Sequence, residues 1–175
     1  LPFVSSGSRV LDLCTGSGCI AWTLALEAPG CSAVGVDLSA DALDVARGQA
    51  LGQGLADGSA VEFVQADVLR PLALGGRFDL LLSNPPYVPE SEKTQMRGNV
   101  LDFEPSLALF VPDSDPLVFY RALSARASEL LSPGGHAFFE ISDSLGPQTL
   151  DVFVDAGFPA RLGKDLSGRD RFVWW

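Results

Sequence analysis

The residues best suited to chemistry are Asn84-Pro85-Pro86-Tyr87, directly after the apolar run Phe78-Asp79-Leu80-Leu81-Leu82-Ser83. The run reads as a buried strand. Proline has no N–H for a strand ladder, so the pair stops it at once and leaves a stiff corner. The Asn84 side-chain carbonyl and a backbone carbonyl of the proline pair can accept both N–H bonds of a planar amide or amine. That turns its nitrogen toward a nucleophilic geometry. The Tyr87 ring can lie flat on the same planar group, a role for the ring face and not the hydroxyl. The corner therefore suits methyl transfer to a planar nitrogen. A plain proline loop capping a strand has the same local sequence, so the upstream residues must decide.

Upstream lies a glycine-rich turn, Asp12-Leu13-Cys14-Thr15-Gly16-Ser17-Gly18. Glycine lets the backbone approach a ligand closely. The spacing departs from the G-x-G-x-x-G dinucleotide fingerprint, so a zwitterionic amino-acid tail suits it better than a pyrophosphate. Asp37 ends the next apolar run, about 20 residues on, where an acidic residue takes ribose hydroxyls. Asp67 ends a third run and can accept from an adenine amino group. Each feature alone is ordinary, since a glycine turn can be tight packing and an Asp after a strand a helix cap. Together with the proline corner they form one line of strand ends.

The elements that must position them follow from pattern. Strands are expected at 9–13, 33–37, 61–65, 78–83 and 136–141. Helices are expected from Cys19 to Ala28, Ala40 to Gln53 with Ser39 as N-cap, Asp115 to Leu131, and Pro147 to Ala156. Phe158 to Gly163 and Arg171 to Trp175 read as a final antiparallel hairpin. Gly52–Gly58 is a glycine-rich loop. Pro89–Pro112 is a long irregular connection, the kind that is usually functional. Strand–helix alternation of this sort argues a doubly wound, mostly parallel sheet with ligands at the carboxyl ends of its strands. Phe119 and Tyr120 read as helix packing, His136 as a structural residue in its strand, and Trp174 and Trp175 as cover for the last strand.

Composition bounds the reading. The 175 residues fit one domain, and 47% hydrophobic residues support a substantial core. No apolar run reaches the ~20 residues of a membrane span, and no signal-peptide pattern is visible. The net charge of −10 disfavours direct nucleic-acid contact, and no membrane partner is expected. Cys14, Cys19 and Cys31 lack CxxC spacing, so reduced thiols in the cytoplasm are expected, and no metal site. The chain starts at Leu1 close to a strand, which suggests a preceding segment.

The layout resembles the Rossmann-like class I fold of S-adenosylmethionine-dependent methyltransferases, a mostly parallel seven-stranded sheet with a C-terminal antiparallel hairpin. The set Asp12–Gly18, Val36-Asp37-Leu38-Ser39, Ala66-Asp67-Val68 and Ser83–Tyr87 resembles the glutamine-N5 protein methyltransferases, and most of all the HemK/PrmC family. Further likeness comes from Glu104–Leu109, Pro133-Gly134-Gly135, Glu140-Ile141 and Lys164–Phe172, of which the last best separates this family from the enzymes acting on ribosomal protein L3. Cys14 stands where many members have glycine, and a small residue is expected to suffice.

The resemblance implies a catalytic domain over 1–175, without the small helical domain that usually precedes it. It implies S-adenosylmethionine as cofactor, bound by Asp12, Thr15, Gly16, Gly18, Asp37, Leu38, Asp67, Val68 and Asn84. Asn84, Pro85 and Tyr87 would be catalytic, and Asn84, Pro85, Pro86, Tyr87 and Glu104 would meet substrate. The implied partner is the Gly-Gly-Gln loop of a peptide-chain release factor, met by a monomer. The alternatives are ribosomal protein L3, an adenine amino group, or a cofactor-binding module without catalysis.

Overall fold

The computed structural model describes residues 3–49, 54–55, 58–95 and 109–175. The elements run β1 (Arg9–Leu13), α1 (Cys19–Glu27), β2 (Ser32–Asp37), α2 (Ala40–Gly48), β3 (Ala60–Gln65) and β4 (Phe78–Ser83). They continue with β5 (Val88–Pro89), β6 (Phe110–Val111), α3 (Val118–Leu130), β7 (Leu131–Glu140), α4 (Gly146–Asp155), β8 (Arg161–Lys164) and β9 (Asp170–Trp174). Seven strands form one sheet in the order β3-β2-β1-β4-β7-β9-β8. The first five are parallel, and β9 runs antiparallel to both β7 and β8. The sheet is the expected one, hairpin included.

The strand pattern explains the two-sided core. Along β1, Leu11 and Leu13 join a cluster with Tyr120, Leu123 and Ala127 of α3 and Phe153 of α4. Val10 points the other way, against Leu24 and Ala28 of the α1 side. Alternation on a strand buried on both faces produces this division. Asp12 shares the parity of Val10 and is only 1% exposed. α2 starts as expected at Ser39, whose hydroxyl accepts from the Ala42 N–H at 3.2 Å.

Three boundaries differ from the sequence reading, each for a local reason. The last connection reaches Arg161 before β8 begins, because Gly157 and Phe158 complete a helix stop. Gly157 has φ 89°, and the Phe158 N–H returns to the Phe153 carbonyl at 3.0 Å, a Schellman closure. Secondly, β7 starts at Leu131, and Ser132–Gly135 bulges out of the pairing with β4, with a register shift between Phe78 and Leu80 and Gly134 at φ 77°. Thirdly, the connection 89–112 is not irregular at its ends: β5 and β6 pair in parallel there. Residues 96–108 lie outside the described residues, as do 50–53 and 56–57 of the glycine-rich loop region. The expected contact of Glu104 therefore cannot be placed.

Register brings the carboxyl ends into line. Leu13 pairs with Val36 on one side and Ser83 on the other. Asp37 pairs with Gln65, and Ser83 with Phe139. Cys14, Asp37, Ala66, Asn84 and Glu140 thus stand at or just past one edge. Strand order reverses at β1 and β4, the switch point where open sheets bind ligands.

Candidate active site

A cleft of about 220 Å³ opens at that edge. Gly16, Asp37, Leu38, Asp67, Val68, Asn84 and Pro86, all singled out by sequence, line it. Cys14, Leu69 and Phe119 line it as well. Phe119, in the first turn of α3, packs against the core as the sequence reading held, and also lines the cleft. Its helical spacing gave no hint of the second role, since only the crossover from β6 brings α3 to the cleft.

The glycine turn is tied to its neighbours through backbone. The Gly16 N–H donates to Asp37 Oδ2 at 2.8 Å, and the Ser39 N–H to Asp37 Oδ1 at 2.9 Å. The Thr15 N–H reaches the Val36 carbonyl at 3.0 Å. Asp37 therefore fixes the turn as well as facing the cleft. Asp67 accepts the Leu69 N–H at 2.9 Å through Oδ1. Its other oxygen lies 3.5 Å from the exposed Arg70.

Gly18 is outside the cleft lining and serves packing. It has φ 78° as the cap of α1, and a Cβ there would lie 2.7 Å from the Phe63 ring. A Cβ at Gly35 would meet the same ring at 2.7 Å. Phe63 also contacts Trp22, whose indole N–H donates to the Ala46 carbonyl at 2.7 Å. Bare backbone on two sides of one ring lets the turn sit down on the sheet.

Asp12 and Thr15 also lie beneath the cleft, both buried. The Thr15 hydroxyl donates to Asp12 Oδ2 at 2.5 Å. Asp12 Oδ1 has no hydrogen-bond partner among the described residues. Burial pushes this carboxyl from the ordinary 3.8 up to about 7. The Thr15 hydroxyl and the Ala21 N–H pull it down, and the Asp37 charge adds to the rise.

On the corner side, the Ser83 hydroxyl donates to the Leu13 carbonyl at 2.7 Å and locks β4 to β1. Pro85 and Pro86 are buried, and Asn84 is exposed at the mouth of the cleft. Tyr87 is outside the lining, half-buried against the core. Its hydroxyl, given no role by the sequence, donates to Glu140 Oε1 at 3.1 Å. Burial first, then Glu140, hold the Tyr87 phenol above its ordinary 10, while Arg171 acts the other way.

The family model for the methyltransferase small domain matches residues 3–102. The chain belongs to that family. A release factor glutamine methyltransferase of Bacteroides thetaiotaomicron is 42% identical over 94% of this chain and 59% of its own length. One of Chlorobaculum tepidum is 46% identical over 93% of this chain and 55% of its own. The chain thus spans somewhat more than half of each relative. Among solved structures, Aeropyrum pernix fibrillarin in complex with S-adenosyl-L-methionine superposes with a TM-score of 0.66 at 15% identity, covering 98% of this chain and 67% of that one. The fold is the class I methyltransferase fold, as the sequence layout implied.

Proposed function

We propose that this chain transfers a methyl group from S-adenosylmethionine to the side-chain amide nitrogen of a glutamine, the one in the Gly-Gly-Gln loop of a peptide-chain release factor. The observation that carries the reading is Asn84-Pro85-Pro86-Tyr87 set at the end of β4, in register with the glycine turn and Asp37. The names of relatives at 42% and 46% identity point to the same substrate.

The residues present fit the cofactor. Leu38, Val68, Leu69 and Phe119 give apolar walls for a flat base. Asp37 and Asp67 face the cleft with acceptor oxygens for hydroxyl and amino groups. Beneath the turn, the unpartnered oxygen of buried Asp12 favours a cationic group nearby. When bound, the cofactor supplies an electrophilic sulfonium methyl.

The chain's own part is binding and alignment. Asn84 makes no hydrogen bond to any described residue, so its amide is available to orient an incoming amide. The buried prolines hold the adjacent carbonyls rigid, and the Tyr87 ring flanks the planar group. Well-oriented intramolecular reactions gain roughly 7–11 kcal/mol from alignment, which suits a poor nucleophile such as an amide. In-line displacement needs no covalent intermediate, and the product proton passes to water. Direct nucleic-acid binding is disfavoured by the charge of −10. It is disfavoured also by pairing of Lys164, Arg169 and Arg171 with Asp170, Asp143 and Asp165.

The test is to incubate the chain with release factor and isotopically labelled cofactor and to map the label by mass spectrometry. Label on the Gly-Gly-Gln glutamine is expected. Label on an adenine, on a lysine, or preferentially on ribosomal protein L3 overturns the substrate assignment.

A further inference from the structure

The turn between β8 and β9 contributes nothing to the cleft lining. Its polar groups lead instead to the proline corner. Asp165 Oδ1 accepts the Ser167 N–H at 2.8 Å and the Arg169 N–H at 3.0 Å, so the turn fixes its own aspartate. Asp165 Oδ2 lies 3.4 Å from both Nε and Nη2 of Arg171. Arg169 reaches back to Asp143, 3.5 Å away, on the segment that follows β7. The Ile141 N–H donates to the Arg171 carbonyl at 3.0 Å, which places Arg171 beside Glu140. The Arg171 charge pulls the Tyr87 phenol down, against burial and Glu140.

Glu140 is the meeting point. Its neighbour Phe139 pairs with Ser83, so Glu140 and Asn84 leave adjacent strands at the same level. Its carboxylate accepts from Tyr87 at 3.1 Å, and its backbone carbonyl accepts from the Tyr120 hydroxyl at 3.4 Å. A surface carboxylate with no task would turn to water. This one is half-buried, with the Tyr87 hydroxyl on its carboxylate and the Tyr120 hydroxyl on its carbonyl.

We infer that Glu140, whose backbone is held to β9 beside Arg171 and Phe172, is a positioning residue that fixes the rotation of Tyr87 so that its ring face meets the substrate amide. The inference rests on the methyl-transfer reading. It gives the end of the Lys164–Phe172 segment a task in catalysis at a distance from the cleft. It also makes the Tyr87 hydroxyl necessary, since the ring is aimed through it.

The experiment has a turnover arm and a spectroscopic arm. With a Gly-Gly-Gln peptide, Glu140→Ala is expected to lower kcat by about ten-fold or more, because small misplacements of positioning groups are costly in rate. Cofactor Kd stays within about two-fold of wild type, since Glu140 does not line the cleft. Glu140→Gln, whose amide oxygen still accepts, recovers most of the rate. Tyr87→Phe matches Glu140→Ala, and the double variant is no worse than either, as expected of residues acting as a unit. Multiplying losses in the double variant, or an unchanged kcat in Glu140→Ala, overturns the inference.

The second arm needs no turnover. The chain has two tyrosines, Tyr87 and Tyr120, so 13Cζ-tyrosine labelling yields two signals, assigned with Tyr120→Phe. Glu140→Ala is expected to shift the Tyr87 signal and Glu140→Gln to restore it, with the Tyr120 signal marking a retained fold. An unmoved Tyr87 signal overturns the inference. A wild-type chain that binds cofactor but methylates no glutamine peptide counts against the methyl-transfer reading alone, and the tyrosine signal still decides the tether.

Discussion

The two halves of the sheet edge are held in different ways. On the side of β1, β2 and β3, the tethers are backbone N–H groups on nearby carboxylates. Asp37 binds Gly16 and Ser39, and Asp67 binds Leu69, across 2 to 21 residues of sequence. On the side of β4, β7 and β9, the tethers are side chains brought together by the sheet. Tyr87 and Glu140 are 53 residues apart. The first kind of site is built by a loop and the strand beside it. The second exists only when β4 and β7, far apart in sequence, have paired in the sheet. Cofactor binding should therefore depend on the first half and alignment of the acceptor on the second.

The largest effect expected is on stability, in the β1 half. The Asp12 carboxyl is pushed from 3.8 to about 7 by burial, so the folded chain holds a proton that the unfolded chain releases near pH 4. Below that both states are protonated and Asp12 costs nothing. As pH rises toward 7 the unfolded state is favoured by ionising first, and stability falls. A shift of this size corresponds to about 4 kcal/mol at most. Asp12→Asn removes the titration. Its stability relative to wild type, from chemical denaturation, should climb between pH 4 and 7 and level off above. A difference independent of pH would mean that water or a cation reaches Asp12 and that this half is less dry than its burial indicates.

The sharpest separation of the halves comes from Asn84→Ala. By analogy with the loss of one preorganised polar group, turnover should fall by about 10²–10³. Calorimetry should show cofactor affinity largely intact, because the remaining lining residues are untouched. A parallel loss of affinity would dissolve the division and make Asn84 mainly a cofactor ligand.

Asp37→Ala is the mirror image and smaller. A hydrogen bond to a charged acceptor contributes roughly 1.5–3 kcal/mol, so cofactor affinity should drop accordingly. The Gly16 and Ser39 N–H groups also lose their acceptor. Turnover at saturating cofactor should recover nearly to wild type. Failure to recover would show that the glycine turn helps to align the reaction.

The same division decides what the sequence made legible. Asp37, Asp67 and the glycine turn could be read because their tethers are local and their apolar runs mark strand ends. The proline corner could be read because proline stops a strand wherever it stands. Phe119 could not, since an aromatic in a helix looks alike whether it faces core or cleft. The task of Glu140 was hidden because its partners come from the loop after β4 and from α3. Gly18 was read as a ligand-facing glycine, and the structure adds a packing use that the sequence did not show, room for the Phe63 ring. The helix stops at Gly157 as expected, but β8 starts late, at Arg161 and not Phe158, which shows that a glycine signal gives the place of a boundary better than the residues the cap consumes.

The smallest expected effect lies on the seam between the halves, at Cys14. It has φ 58°, and among the described residues it alone takes a positive φ without being glycine. Burial and the Asp37 charge push its thiol up to about 12, so it is protonated and uncharged at neutral pH. The sequence reading held that a small residue suffices there. The backbone makes a sharper statement, tested by comparing Cys14→Ala with Cys14→Gly. Both variants lose the thiol, so its packing cancels. Alanine keeps the left-handed strain, about 1–2 kcal/mol for a residue with a Cβ. Glycine escapes the strain but gives back about 0.4–1 kcal/mol through the freedom of its unfolded chain. Glycine should therefore be the more stable by about 0.5–1 kcal/mol, the reverse of the usual order in regular structure. Thermal unfolding of the two variants reads the difference directly. If alanine proves the more stable, the chain at 14 relaxes out of the left-handed region, and the turn is less tightly bound to Asp37 and Val36 than its hydrogen bonds require.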